Sequence, residues 1–177
     1  MRTTQGDEMR LLVTMCWIIA CSTARAGEIR DLYEASGSSP KDVQRVDLLR
    51  HTDHGITEIG IERTGCMGWC PVYVLIVKRD GTFRYIGDAE VARLGTHTGK
   101  IADGEFNRLA EFIRDSGYMN LKDGYVENVT DISTTYTTVV MNGQRKVVMH
   151  YGDDDGPSSL WVTEVLIDRL LEGATWN

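Results

Sequence analysis

The 177-residue sequence fits one globular domain, with 42% hydrophobic and 25% charged residues. Its formal net charge of -7 argues against a nucleic-acid-binding protein, because phosphates would be repelled by an acidic surface. The same charge argues against electrostatic adhesion to anionic lipids. We therefore expect no nucleic acid as a partner.

The first segment has the pattern of an export signal. An apolar run over residues 11–20 is too short for a membrane span of about 20 residues, but it has the length of a signal-peptide core. The small residues at 24–26 (Ala-Arg-Ala) form a cleavage site before Gly27. The sequence thus predicts a signal peptide over residues 1–26. The stretch before Met9 is polar rather than basic, so we hypothesise that translation starts at Met9.

A second processing signal overlaps the first. Residues 18–21 (Ile-Ile-Ala-Cys) resemble a bacterial lipobox, in which the cysteine is acylated and becomes the new N-terminus. Cleavage before Cys21, with a lipid tether on that cysteine, is therefore an alternative to cleavage before Gly27. Both alternatives place the chain outside the cytoplasm, as a periplasmic protein or a membrane-anchored lipoprotein. A buried helix of a cytosolic protein is a third interpretation, but this lone apolar segment has no obvious packing partner.

The exported chain keeps one pair of thiols. Either cleavage removes Cys16 and removes or lipidates Cys21, which leaves Cys66 and Cys70. An even pair in an oxidising compartment is expected to form a disulfide, and cysteines four positions apart in one turn reach the Cα separation that this bond needs. We predict a structural disulfide. Thiol–disulfide activity and metal binding are the alternatives, although redox motifs usually space their cysteines by two residues at a helix N-terminus.

The pattern predicts an arm or linker over residues 27–55 and a folded domain over residues 56–172. Two hairpin turns are expected, at Asp80-Gly81 and at Asn142-Gly143. Strands are predicted over 56–63, 72–79, 82–87, 133–141 and 144–151, with a further short strand in 92–101 and helices over 103–116 and 158–171. The order β-β-β-(β)-α-β-β-α, without a βαβ unit, predicts an α+β fold: an antiparallel sheet of hairpins with two helices packed on one face.

Both helices show an apolar stripe. In the first, the buried side is expected to consist of Phe106, Leu109, Ala110 and Ile113. In the last, we expect Val162, Val165, Leu166 and Leu170 to face the core. The acids of that helix are spaced by four and are expected in solvent: Glu164, Asp168 and Glu172.

The residues around the cysteine pair form a motif. From Arg63 to Tyr73 the chain reads R-T-x-C-x-G-x-C-P-x-Y, followed by an apolar strand and the Asp80-Gly81 turn. This pattern resembles the DUF6438 family, a bacterial domain of unknown function. Further matches are Tyr85, Gly87, Gly95, Asp131, Lys146 and the pair Ile167-Asp168. The resemblance covers residues 56–171; it implies domain boundaries and export, and it supplies no activity and no catalytic residues.

The sequence predicts no catalytic residue, metal site or cofactor. It has no nucleophile elbow, phosphate loop, His-Glu-x-x-His motif or paired-carboxylate signature. His51 and His54 lack a second pair of ligands, and the acidic residues 153–155 lack the spacing of a calcium loop. His150 is expected to be a packing residue of a hairpin.

We interpret the chain as an exported bacterial cell-envelope protein, with a non-catalytic binding or structural role. The cysteine pair would hold Arg63, Trp69 and Tyr73 as a candidate contact surface for an unknown envelope protein or small ligand. The alternative is an envelope enzyme, either a thiol–disulfide oxidoreductase that uses Cys66 and Cys70 or an unrecognised hydrolase.

Overall fold

A computed structural model describes residues 54–152 and 155–177. The predictions that fall on residues 1–53 lie outside this part of the chain: the signal peptide, the start at Met9, the lipidated Cys21 and most of the arm. The predicted domain lies almost entirely within it.

The described residues form one sheet of eight strands and two α-helices. The strands are β1 (Ile56–Arg63), β2 (Val72–Lys78), β3 (Thr82–Ala89), β4 (Gly95–Lys100), β5 (Gly124–Val126), β6 (Thr134–Met141), β7 (Gln144–Tyr151) and β8 (Thr175–Trp176). The helices are α1 (Glu105–Asp115) and α2 (Ser158–Arg169), and a short 3₁₀ turn (Tyr118–Asn120) follows α1. Strand order across the sheet is β5-β7-β6-β1-β2-β3-β4-β8. All neighbours pair antiparallel except β5 and β7, so the predicted α+β fold is confirmed.

The two predicted hairpin turns connect β2 to β3 and β6 to β7. Gly81 has a φ of 80°, and Asn142 and Gly143 have φ values of 52° and 79°, which the tight turn at Asn-Gly requires. The Asp80 carboxylate also accepts a hydrogen bond from the backbone N–H of Thr82 at 2.9 Å. These local interactions fix the register of both hairpins.

The core lies between the helices and one face of the sheet. Strand residues Ile59, Ile61, Leu75 and Val77 are fully buried and are cross-strand neighbours in β1 and β2. The predicted stripe of α1 is confirmed, since all four of its residues are buried. Tyr118 lies fully buried beside them, and its hydroxyl lies 2.7 Å from Thr137 Oγ1 of β6. The polar atom of this large side chain is therefore paired inside the core.

Two short strands were not predicted. β5 lies in a stretch that was expected to be irregular, and β8 follows the last helix. Strands of three and two residues carry too little periodicity to be read from sequence. Each depends on a partner at the sheet edge, β7 for β5 and β4 for β8.

The predicted orientation of α2 was wrong in part: Leu170 is buried and Glu172 is exposed as expected, but the rest of the buried side differs. Its buried residues are Leu160, Thr163, Glu164 and Ile167, whereas the expected core residues Val162, Val165 and Leu166 are half-buried. Glu164, expected in solvent, is only 4% exposed. Its burial depends on a partner in the sheet, which the helix sequence alone does not reveal.

Candidate functional site

The turn between β1 and β2, residues 64–71, carries the cysteine pair, and we call it the cysteine corner. A disulfide joins Cys66 and Cys70, whose Cα atoms are 5.7 Å apart. Thr64 anchors the start of the corner: its N–H donates to the Thr134 carbonyl at 3.0 Å, and its hydroxyl oxygen accepts from the Thr134 N–H at 2.9 Å. The Met67 N–H donates to the Asp131 carbonyl at 3.2 Å. The corner is therefore closed by a disulfide and hydrogen-bonded to the first residue of β6 and to the segment before it.

Two large apolar side chains project from the cysteine corner. Trp69 is 86% exposed and Met67 is 82% exposed. Gly68 lies between them, and neither it nor Gly65 has a positive φ. Such exposure is unusual for side chains of this size, which normally bury most of their apolar area. The disulfide thus displays these two side chains rather than packing them.

Replacing both cysteines by serine is expected to lower the free energy of unfolding by about 2 kcal/mol, because the bond closes a loop of only five residues. Urea unfolding of the oxidised protein and of the Cys66→Ser/Cys70→Ser variant measures this difference. Adding a reductant should shift the wild-type midpoint and leave the variant unchanged. Equal midpoints for the oxidised wild type and the variant would contradict a stabilising bond.

A row of polar side chains lies behind the corner, on the face of the sheet that the helices cover. The register pairs Tyr73 of β2 with Arg63 of β1, Arg63 with Thr135 of β6, and Thr135 with His150 of β7. Directly opposed residues of neighbouring strands share a face. We call these four residues the polar row.

Helix α2 places two carboxylates on the polar row. Arg63 Nη2 donates to Asp168 Oδ2 at 2.8 Å, and Arg63 Nη1 donates to Thr135 Oγ1 at 2.9 Å. The Tyr73 hydroxyl donates to Asp168 Oδ1. One turn earlier, Glu164 Oε1 lies 2.9 Å from His150 Nδ1. These two groups of contacts, which we call the network, fix α2 directly to β1, β2 and β7, and Arg63 links the first group to Thr135 of β6.

The environment of Asp168 shifts the pKa values of both its partners. Burial of the Tyr73 hydroxyl and the negative charge of Asp168 raise the pKa of Tyr73 far above its ordinary value. For Arg63, burial alone would lower the pKa, but the hydrogen bond and the charge of Asp168 outweigh it and leave that pKa raised. Arg63 is therefore cationic and Tyr73 protonated at neutral pH, which suits a structural clamp and gives neither group a proton to exchange.

The pair His150–Glu164 is the most deeply buried part of the network. Both side chains are 5% exposed, and burial raises the pKa of Glu164 although His150 opposes that shift. Within the described residues, His150 Nε2 has no hydrogen-bond partner. Gly156 lies against this nitrogen, since a Cβ built there would be 3.6 Å from it, and Tyr125 packs edge-on to the imidazole ring. In a catalytic pair, a carboxylate orients the histidine and the other ring nitrogen is free to reach a substrate. Here the carboxylate is present, but Nε2 is buried against Gly156 and Tyr125 and cannot reach a substrate.

The structure separates the three residues of the predicted contact surface. Trp69 is on the outside of the cysteine corner, whereas Arg63 and Tyr73 are half-buried in the polar row beneath it. Arg63 and Lys146 each pair with an acid: Arg63 with Asp168, and Lys146 with Asp123.

Sequence reasoning missed Thr135, Glu164 and Asp168 as members of this network. Glu164 and Asp168 had one usable signal, a spacing of four that puts both on one side of a helix. That spacing does not say which side faces the sheet. His150 is buried, as a packing residue is expected to be, but its partner Glu164 was not foreseen.

Metal-binding clusters and membrane-spanning helices are both absent from the described part of the chain. Residues 54–152 and 155–177 contain no group of three or more His, Cys, Asp or Glu side chains placed to hold a metal ion. Neither helix in these ranges has the length and apolar character required to cross a membrane.

Comparison with known proteins gives the chain a family but no activity. No curated protein matches its sequence. Residues 57–171 match the family model described as a domain of unknown function, DUF6438. The match begins within β1 and ends just after α2, so it includes the cysteine corner, the polar row and both carboxylates of α2. The chain therefore belongs to the DUF6438 family.

Proposed function

We propose that this chain is an exported protein of the bacterial cell envelope, and that its domain is a non-catalytic binding module whose contact site is the cysteine corner. The observation that carries the proposal is Trp69, which is 86% exposed on a turn closed by a disulfide. Tryptophan is enriched among the few residues that supply most binding energy at protein interfaces. A covalently closed turn also loses little conformational entropy when it binds.

Export is supported by two independent features. The N-terminal sequence has an apolar core followed by cleavage signals. A disulfide between solvent-facing segments persists in oxidising compartments and is rare in the cytosol. The lipid on Cys21 remains part of this proposal as one of two processing routes.

A structural role for the disulfide is supported by its position. Cys66 and Cys70 lie between two strands. Reactive cysteines of redox motifs usually lie at a helix N-terminus, where the helix dipole lowers the thiol pKa. The corner offers no such dipole, and this favours a binding module over a thiol–disulfide oxidoreductase. A purified protein that reduces or oxidises a test disulfide would contradict this choice.

The binding role is tested by photo-cross-linking in intact cells that express the full chain. A photoreactive amino acid at position 69 is expected to give a discrete cross-linked adduct in the envelope fraction. The matched control has the same amino acid at position 147, since Val147 is 45% exposed on the opposite face of the sheet. Adduct formation at 69 should fall when Cys66 and Cys70 are replaced by serine. Absence of the protein from the envelope fraction, or no adduct at 69 above that at 147, would refute the proposal.

A further inference from the structure

The exposed apolar side chains are concentrated at one end of the sheet. The cysteine corner lies at one end of the strands, where β1, β3, β5 and β7 finish and β2, β4 and β6 begin. We call these strand ends, with their connecting loops and the first turn of α2, the corner end. Among the described residues, every exposed large hydrophobic side chain except Val147 belongs to it: Met67, Trp69, Leu94, Val126, Val129 and Trp161.

This clustering distinguishes the corner end from an ordinary surface. Single exposed apolar residues are common, whereas neighbouring ones, such as Met67 and Trp69 in one turn, can mark an interaction site. The turns at the opposite strand ends contain Asp80-Gly81 and Asn142-Gly143. In the described ranges these turns have no exposed large hydrophobic side chain. The apolar group therefore follows the topology, since it comes from several separate loops brought to the same end of the sheet.

Negative charge predominates among the exposed charged groups of the corner end. The exposed carboxylates at the corner end are Glu62, Asp88, Glu90, Asp131 and Asp155. The exposed cations near this end are Arg93, whose guanidinium lies 4.5 Å from the Trp176 ring centre, and Lys122, whose ammonium lies 5.9 Å from the Tyr125 ring centre. The charge of Arg63 is paired with Asp168. Exposed cations such as Lys78 and Lys100 lie instead toward the opposite strand ends.

This charge pattern selects between classes of partner. A surface that combines exposed apolar side chains with an excess of exposed carboxylates repels anionic lipid headgroups and phosphates, and it attracts lysine and arginine. Methionine adapts its shape to different apolar neighbours, and tryptophan supplies a large rigid contact. The exposed carboxylates also accelerate association with a cationic partner.

We propose that the corner end binds a cationic amphipathic segment of a protein, whose apolar side chains contact Met67 and Trp69 while its lysines or arginines pair with Asp88, Glu90 and Asp131. This inference rests on the proposed function, because it names the chemistry of the partner for the same contact site.

The test uses the protein isolated from cells that express the full chain and a short amphipathic helical peptide of leucine and lysine as the probe. Fluorescence anisotropy of the labelled peptide gives the dissociation constant. We expect the variants Asp88→Asn/Glu90→Gln/Asp131→Asn and Met67→Ser/Trp69→Ser each to weaken binding at least about tenfold. The control Asp103→Asn/Asp115→Asn/Glu172→Gln removes three exposed carboxylates elsewhere and should bind like the wild type.

Four results would overturn the inference. Equal affinity for a leucine–glutamate peptide of the same length would show that the partner's positive charge is not recognised. Binding to phosphatidylglycerol vesicles as tight as binding to the leucine–lysine peptide would identify a membrane site instead. No binding of the leucine–lysine peptide, or binding that the Met67→Ser/Trp69→Ser variant leaves unchanged, would also contradict the proposal. If the cross-linked adduct at position 69 persists in cells under any of these results, the partner chemistry is wrong and the binding function stands.

Discussion

Replacing Glu164 by alanine is expected to lower the free energy of unfolding by about 3 kcal/mol, because it leaves His150 buried with neither ring nitrogen hydrogen-bonded. The side chains of both residues are 5% exposed, so water cannot replace the lost partner. Urea unfolding followed by circular dichroism measures the change. The matched control is Glu172→Ala, which removes an exposed acid just beyond the same helix.

The double variant His150→Leu/Glu164→Leu separates the cost of leaving His150 without a partner from the cost of losing the packing of both side chains. Apolar side chains of similar volume are often tolerated where a buried ionic pair is replaced as a whole, so the double variant should be more stable than Glu164→Ala. A double variant as unstable as the single one would show that the pair makes no specific contribution. A loss below about 1 kcal/mol for Glu164→Ala would also contradict the expected role.

The same pair gives a pH dependence whose sign follows from linkage. Burial raises the pKa of Glu164 above its ordinary value of 4.5, so between 4.5 and the folded pKa the folded chain holds more protons than the unfolded chain. The free energy of unfolding therefore falls as the pH rises through this window. Glu164→Gln cannot titrate and should lack this contribution. Parallel stability curves for the wild type and Glu164→Gln from about pH 4 to about pH 7 would contradict the raised pKa.

Replacing Asp168 by alanine is expected to lower the free energy of unfolding by about 2 kcal/mol, because Arg63 and Tyr73 lose their common acceptor. The effect is expected to be smaller than for Glu164, since the side chains of Arg63 and Asp168 are 20% and 33% exposed and water partly replaces the ion pair. Hydrogen exchange gives a second readout, in which the amides of α2 should lose more protection than those of α1.

The control for Asp168→Ala is Asp115→Ala, which removes the acid of an exposed ion pair with Arg114 and should leave stability unchanged. Uniform loss of protection in α1 and α2 after Asp168→Ala would mean that Asp168 stabilises the whole domain rather than the attachment of α2. Unchanged stability would mean that the network of Arg63, Tyr73 and Asp168 is replaced by water without cost.

Both expected effects concern the attachment of α2 behind the cysteine corner. Arg63 ends β1, and the corner begins at the next residue, Thr64. The clamp on Arg63 therefore fixes the base of the turn that displays Trp69. Asp168→Ala leaves the disulfide unchanged, so it would separate the contribution of Arg63 to holding this turn from the contribution of the disulfide.

The sequence was sufficient for those features that depend on neighbouring residues. Gly81 and the pair Asn142-Gly143 specify their turns through positive φ angles that few other residues adopt, and the stripe of α1 follows from helical periodicity. The disulfide was predictable because a separation of four residues in one turn limits the distance between the two cysteines. The α+β fold follows from the order of these local elements.

Tertiary structure alone decided which side of α2 is buried and which residues meet across the sheet. The sequence of α2 places Glu164 and Asp168 on one side of the helix, but their burial depends on His150, Arg63 and Tyr73, which come from three different strands. In the same way, the apolar group at the corner end exists only because antiparallel pairing brings separate loops to one end of the sheet. Local patterns encode backbone angles and periodicity, whereas charge compensation and surface clustering depend on long-range register, which no single stretch of the sequence contains.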